Sequence, residues 1–238
     1  HGFHILHGIV DSLWLQGNGD IRQVCRKIQN ETGIPIELEG HYKWVVFLPR
    51  RGDGAGSLTH YYGAFRDGSV KVRGVELRRS DTPPIVKQCQ TDILRHLSRA
   101  DTKQEFFQRL EGAFSILQDY VGRVQQRDCS MEDLAIVKRV TRQPDDYRQL
   151  NATASCLQQL AQTGETIQPG RHVRYIIKDA SSNRWYRKVQ PWQQCSSRTP
   201  YDADKYGELL CRAMASLLLP FGYTTENVKQ RINGLSKL

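Results

Sequence analysis

The stretch Ile5-Leu6-His7-Gly8-Ile9-Val10-Asp11-Ser12-Leu13-Trp14-Leu15 constrains the chain more than any other. An apolar run reaches a small turn, presents one carboxylate, and leaves as a second apolar run. Two buried antiparallel strands joined by a tight turn satisfy that pattern. A carboxylate buried between such strands without a partner is strongly unfavourable. Asp11 is therefore either a solvated residue of an Asp-Ser turn or a ligand for something cationic. The stretch alone leaves both readings open.

Downstream, Asp20 is a predicted N-cap for a helix with Ile21, Val24, Cys25 and Ile28 on one face, ended by Thr32-Gly33 and Pro35. Ile36–Glu39 alternates as a strand, and His41–Leu48 reads as a strand with an apolar centre. Tyr61–Phe65 and Ser69–Leu77 form a hairpin across Arg66-Asp67-Gly68. Residues 1–79 thus predict an α+β half-domain with one sheet. Pro83 or Pro84 opens a helical region: Ile85 to Leu97, then one helix over Lys103–Arg123, and Asn151–Gln162. Ser130 caps a short helix, and residues 134–140 fit a short strand equally well. His172–Lys178 alternates as a strand with Trp185–Val189 returning beside it. Asp202 opens a last long helix ended by Pro220 and Gly222, and the tail from Thr224 is polar.

The formal charge is +9, with Arg and Lys scattered through all 238 residues. An extended surface for a polyanion, nucleic acid foremost, accounts for that balance, as does a solvated basic surface. No apolar run approaches a membrane span, and there is no signal-peptide pattern. The six cysteines lack zinc-ligand spacing and read as thiols of a reducing compartment. His1, His4 and His7 sit in a strand, where 1 and 7 face away from 4, which argues against a metal cluster. The chain begins at His1 inside an apparent strand, so the expectation is a fragment, a processed chain or a subunit.

The six positions His7-Gly8-Ile9-Val10-Asp11-Ser12 resemble the Tyr-Gly-Asp-Thr-Asp-Ser palm hairpin of family-B DNA polymerases. The second carboxylate of that pair is Asp11; Ile9 replaces the first. Tyr42–Leu48, a loop, and Thr59-His60-Tyr61-Tyr62-Gly63 resemble the family's Lys-x-Tyr palm signature, with Tyr62 matching and His60 in the lysine position. Lys71-Val72-Arg73-Gly74-Val75-Glu76-Leu77-Arg78-Arg79-Ser80-Asp81 resembles its palm-to-thumb junction. On a strand, Lys71, Arg73 and Arg79 would share one face and follow phosphates, with Gly74 allowing close approach. A solvated basic edge strand is the alternative. Thr141-Arg142-x-Pro-x-Asp-Tyr147, Gln168-Pro169-Gly170, Pro200-Tyr201-Asp202 and Pro220-Phe221-Gly222-Tyr223 resemble the thumb, in the family's order.

The resemblance implies an α+β fold: a partial antiparallel palm sheet with a helix over residues 1–79, then a mainly helical thumb with a small β element over 80–238. It implies nucleotidyl transfer with two Mg²⁺ ions, Asp11 as catalytic metal ligand and a second carboxylate from other chain. His60, Tyr62, Lys71, Arg73, Arg78, Arg79, Arg142 and Tyr147 would bind primer–template DNA. Deoxynucleoside triphosphates and a larger polymerase subunit or segment, carrying the rest of palm, fingers and exonuclease, would be the other partners. The setting would be cytoplasmic and nucleoid-associated. No upstream palm motif, fingers helix or exonuclease motif is found in these residues, and part of the family encodes this portion as a separate small subunit. Ile9 and His60 also suit a DNA-binding or scaffold relative that has lost catalysis.

Overall fold

The computed structural model describes residues 2–9, 12–50, 52–143, 146–147 and 151–235. Asp11 lies outside the described residues. The chain divides into two compact units, His1–His41 and Tyr42–Leu238.

In the first unit, β1 (Phe3–Ile9) pairs antiparallel with β2 (Ser12–Gly17). Ile9 faces Ser12, Gly8 faces Leu13, and the register slips between Ile5 and His7. The antiparallel pairing predicted from the apolar–carboxylate–apolar pattern therefore forms, but the expected burial does not: Ile5, Leu6 and Leu13 are exposed, because among the described residues the two strands pair only with each other. Asp20 caps α1 (Ile21–Thr32), its carboxylate accepting from the Arg22 and Gln23 amides at 2.9 and 3.2 Å. Gly33 ends the helix with φ 71°, a conformation that glycine adopts without steric penalty. Ile21, Val24, Cys25 and Ile28 form its half-buried face, at the expected spacing. The strand expected over Ile36–Glu39 is absent; residues 33–41 are extended or irregular. Four alternating residues between Pro35 and Gly40 find no neighbouring strand, and alternation alone supplies no hydrogen-bond partner.

In the second unit, β3 (Tyr42–Pro49), β4 (Gly56–Phe65) and β5 (Val70–Arg73) form an antiparallel sheet in that order. The single sheet expected over residues 1–79 is thus two among the described residues, because β1 and β2 pair only with each other there. The turn behind β4 is the predicted one: Asp67 accepts from the Ser69 amide at 2.9 Å and the Ser69 hydroxyl at 2.6 Å.

Pro84 opens α2 (Pro84–Leu97) in its first turn, where the missing N–H is harmless. The helix predicted over Lys103–Arg123 is instead α3 (Lys103–Gln108) and α4 (Leu110–Gln125). At the junction the Arg109 amide is shared between the Glu105 and Phe106 carbonyls, and the Arg109 carbonyl lies 3.1 Å from His96 Nε2. The break accompanies the seating of Phe106 against Trp44 and Phe221, at 5.2 and 5.3 Å between ring centroids. Ser130 heads a capping box on α5 (Met131–Leu134), and β6 (Ile136–Arg139) follows directly, so both readings of this stretch hold in succession. Asn151 caps α6 (Ala152–Gln162). The second sheet of this unit has the order β6, β7 (His172–Ile177), β8 (Val189–Pro191), with α7 (Trp185–Lys188) leading into β8. Asp202 caps α8 (Ala203–Leu218). The tail read as merely polar contains α9 (Thr225–Leu235), which buries Val228 and Ile232. Two apolar residues four apart suffice to anchor a helix once a partner, here α8 and α4, is present.

Sheet and helices share one core. Phe114, Leu117, Leu210, Met214 and Leu217 are fully enclosed, and Tyr62 reaches them from β4. Trp44 donates its indole N–H to the Ala100 carbonyl at 2.9 Å. Tyr206 ties β7 to α5, accepting from the Ile177 amide at 3.1 Å and donating to the Leu134 carbonyl at 2.7 Å. Packing is therefore continuous across residues 79 and 80.

Candidate nucleic-acid interface

The segment from β5 to α2 carries most of the cations singled out in the sequence. In β5, Lys71 and Arg73 share one face, opposite Gly63 and Tyr61 of β4, while Tyr62 and Val72 occupy the other. The strand ends at Arg73, not Leu77 as expected. Gly74 turns the chain with φ 71°, and Glu76–Arg78 form a 3₁₀ turn. Arg79 therefore does not continue a row along one strand. A Cβ on Gly74 would sit 2.4 Å from the His60 ring and 2.7 Å from the Thr59 carbonyl. The glycine accommodates the neighbouring His60; the close approach it permits is within the chain.

Glu76 holds this turn to the helices. Its carboxylate accepts from Gln90 Nε2 of α2 at 3.1 Å and from the Ser216 hydroxyl of α8 at 2.7 Å. Gln90, fully buried, also donates to the Ala213 carbonyl at 3.0 Å and accepts from the Leu77 amide at 2.7 Å. Every polar atom of the Gln90 amide is thus matched, which is what allows it to be buried. The turn that presents Arg78 and Arg79 is pinned from both helices at once.

Arg73 and Arg78 are exposed, and among the described residues neither pairs with a carboxylate. Arg79 does: its Nε donates to Asp81 at 3.2 Å, and Asp81 also takes the Lys138 ammonium from β6. Burial raises the Asp81 pKa, but the hydrogen bonds and charges of Lys138 and Arg79 outweigh it and leave the carboxyl below its ordinary range. Lys138 escaped the sequence reading because nothing local places β6 beside this turn. The bridge makes two predictions. Asp81→Asn should release both cations and raise DNA affinity at low salt, checked by titrating a duplex with the variant. The lowered pKa means that Asp81's contribution to stability is present above the unfolded value of about 3.8 and is lost as pH falls through the lower folded value. Thermal unfolding of Asp81→Asn should therefore show a shallower loss on acidification than the parent chain.

His60 is exposed on β4, its Nδ1 lying 3.1 Å from the Ser57 hydroxyl and 3.0 Å from that of Thr59. Tyr62, expected near the primer–template, is fully buried and donates its hydroxyl to the Leu217 carbonyl at 2.8 Å. Burial pushes its pKa well up. It is a core residue satisfying a carbonyl in the last turn of α8, a group left without an intrahelical partner. Arg142 is exposed after β6; Tyr147 is half-buried against the core.

The family profile described as DNA polymerase family B matches residues 20–221. The chain belongs to that family. It is 24% identical over 186 residues to a DNA polymerase of Archaeoglobus fulgidus, covering 76% of this chain and 22% of the relative. It is 24% identical to DNA polymerase 2 of Aeropyrum pernix, covering 96% of this chain and 27% of the relative. The family B DNA polymerase structure from Pyrobaculum calidifontis superposes with a TM-score of 0.65 at 19% identity, over 94% of this chain and 27% of that one. At that identity the likeness is one of fold. The chain spans about a quarter of the length of the relatives named here.

Among the described residues of this family-B chain, no three His, Cys, Asp or Glu side chains gather closely enough to hold a metal ion. Ile9 has no side-chain donor. The cysteines are free thiols, three of them buried; burial pushes Cys211 up to about 11 and Cys156 to about 12. No described helix is long and apolar enough to cross a membrane.

Proposed function

We propose that residues 1–79 form the C-terminal part of a polymerase palm and residues 80–238 its thumb, acting in a DNA-directed DNA polymerase of the nucleoid. The observation that carries the reading is the pinned turn between β5 and α2, which presents exposed Arg78 and follows exposed Arg73 at the end of β5, in the segment resembling the palm-to-thumb junction. Lys71, Arg73, Arg78 and Arg79, with His60 and Arg142, hold primer–template phosphates. Tyr62 and Tyr147 serve by packing beneath them. Asp11 is the chain's metal ligand; divalent ions held there and by a carboxylate of the larger polypeptide would stabilise charge in nucleotidyl transfer.

The direct test is salt dependence. Duplex binding should be sequence-tolerant, and Arg73→Ala or Arg78→Ala should each reduce the slope of log affinity against log salt by about one unit. Unaltered slopes in both variants would mean that these cations are a solvated surface.

The partner reading rests on the first unit. Ile5 is 70% and Leu6 55% exposed on β1, and a two-stranded hairpin is not independently stable with such residues in water. The earlier palm segment of a family-B polymerase would cover them. Amides of residues 5–9 and 12–15 should exchange quickly in the isolated chain and slowly once that segment is added. Slow exchange in the isolated chain, unchanged by the addition, would refute the docking. A second reading, a DNA-binding scaffold without catalysis, rests on Ile9 in place of the first palm carboxylate and His60 in place of the lysine. Primer extension by the assembled enzyme separates the two.

A further inference from the structure

The loop between β7 and β8 carries Arg184-Trp185-Tyr186-Arg187-Lys188, which the reading above does not use. Tyr186 is 45% exposed. Arg184 Nη1 donates to its hydroxyl at 3.1 Å, and the Arg187 guanidinium lies 6.0 Å from its ring centroid. Trp185 stands edge-on at 5.6 Å and 88°. An exposed ring is thus flanked by two guanidiniums, each exposed itself.

The platform is firmly mounted. The Ser155 hydroxyl of α6 donates to the Trp185 carbonyl, and Gln159 of the same helix donates to the Val189 carbonyl at 2.9 Å. The Lys178 amide donates to the Lys188 carbonyl at 2.9 Å, and the Lys188 ammonium closes the loop on the Ala180 carbonyl at 3.2 Å. Asp179 feels the charge of Arg187, but its carboxylate is engaged by the Ser181 hydroxyl at 2.8 Å and the Ser182 amide at 3.0 Å. Neither Arg184 nor Arg187 pairs with a carboxylate among the described residues.

We propose that this loop is a binding site for single-stranded nucleic acid, in which Tyr186 stacks on an unpaired base while Arg184 and Arg187 hold the adjoining phosphates. The aromatic ring decides the class of ligand. Bases in a duplex have their faces covered by their neighbours, so an exposed tyrosine offers stacking only to an unpaired strand, whereas guanidiniums serve any polyanion. The site is separate in sequence from Arg73 and Arg78 and does not depend on their role.

The test uses the full chain and three labelled probes of equal length: oligo-dT, an abasic deoxyribose-phosphate polymer, and a duplex. Tyr186→Ala should weaken oligo-dT binding by about five- to a hundredfold and leave the abasic polymer unaffected. Tyr186→Phe should retain most of the affinity, and Tyr186→Leu, which keeps apolar bulk without a π face, should lose it. Arg184→Ala and Arg187→Ala should weaken oligo-dT and the abasic polymer together. The parent chain with Arg73→Ala and Arg78→Ala combined should keep the stacking component, which distinguishes a failure here from a failure of the duplex reading. Equal binding of oligo-dT by Tyr186→Ala and Tyr186→Phe would overturn the proposal. So would equal losses on oligo-dT and the abasic polymer in Tyr186→Ala, the outcome expected of a site for an acidic protein.

Discussion

Asp11→Ala should abolish primer extension when the remaining parts of a family-B polymerase are supplied, lowering the rate by about a thousandfold or more. Metal ions stabilise transition-state charge by several kcal/mol, and each factor of ten corresponds to about 1.4 kcal/mol. Losing a ligand shared by the ions should forfeit much of that stabilisation. DNA affinity should stay within a few-fold, because a carboxylate does not anchor a polyanion. The reading of Asp11 comes from its position between two apolar strands, β1 and β2, and from the match of His7 to Ser12 with the palm hairpin. The isolated chain should not extend primers at all, since it offers one carboxylate there and Ile9 offers none. Near-normal extension by the assembled Asp11→Ala enzyme would return Asp11 to the solvated turn that its local sequence also allows.

Tyr62→Ala should destabilise the Tyr42–Leu238 unit by about 3–5 kcal/mol, the range for removing a large aromatic side chain from a core. For a unit of this size that is a fall in Tm of roughly 6–20 °C. The loss has two parts. A fully enclosed ring at the junction of β4 with the helices leaves a cavity, and the Leu217 carbonyl loses its donor. Tyr62→Phe isolates the second part and should cost about 1–3 kcal/mol, the penalty of an unmatched buried polar group. Neither variant, measured where it remains folded, should change the salt slope of duplex binding. A reduced slope in Tyr62→Phe with unchanged stability would place the hydroxyl at DNA and contradict its hydrogen bond to α8.

Local chemistry was readable where it is decided locally. The caps at Asp20, Ser130 and Asp202, the Asp67-Gly68 turn, and the proline start of α2 all follow from short-range hydrogen bonding and fixed φ angles, and the structure contains each. The apolar periods located α2, α6 and α8, where one face leaves water, and also α1 and the β1–β2 hairpin, although α1 is only half-buried and Ile5, Leu6 and Leu13 remain exposed. The order of weak motifs along the chain is that of the polymerase family. What needed tertiary structure was everything set by partners distant in sequence. The Ile36–Glu39 alternation found no strand to join. The helix over residues 103–123 broke at Arg109, where His96 takes part and Phe106 seats on Trp44 and Phe221. The tail at Thr224 became a helix because α8 and α4 offered its two apolar residues a surface. At the interface, the sequence by itself determined which cations are present. Only the fold decided that Arg79 shares Asp81 with Lys138, that Tyr62 points inward, and that Glu76 and Gln90 pin the turn bearing Arg78. Apart from the local Arg79–Asp81 pair, those contacts join residues 13 to 155 positions apart, and no period or motif within a window of the chain encodes a hydrogen bond of that range.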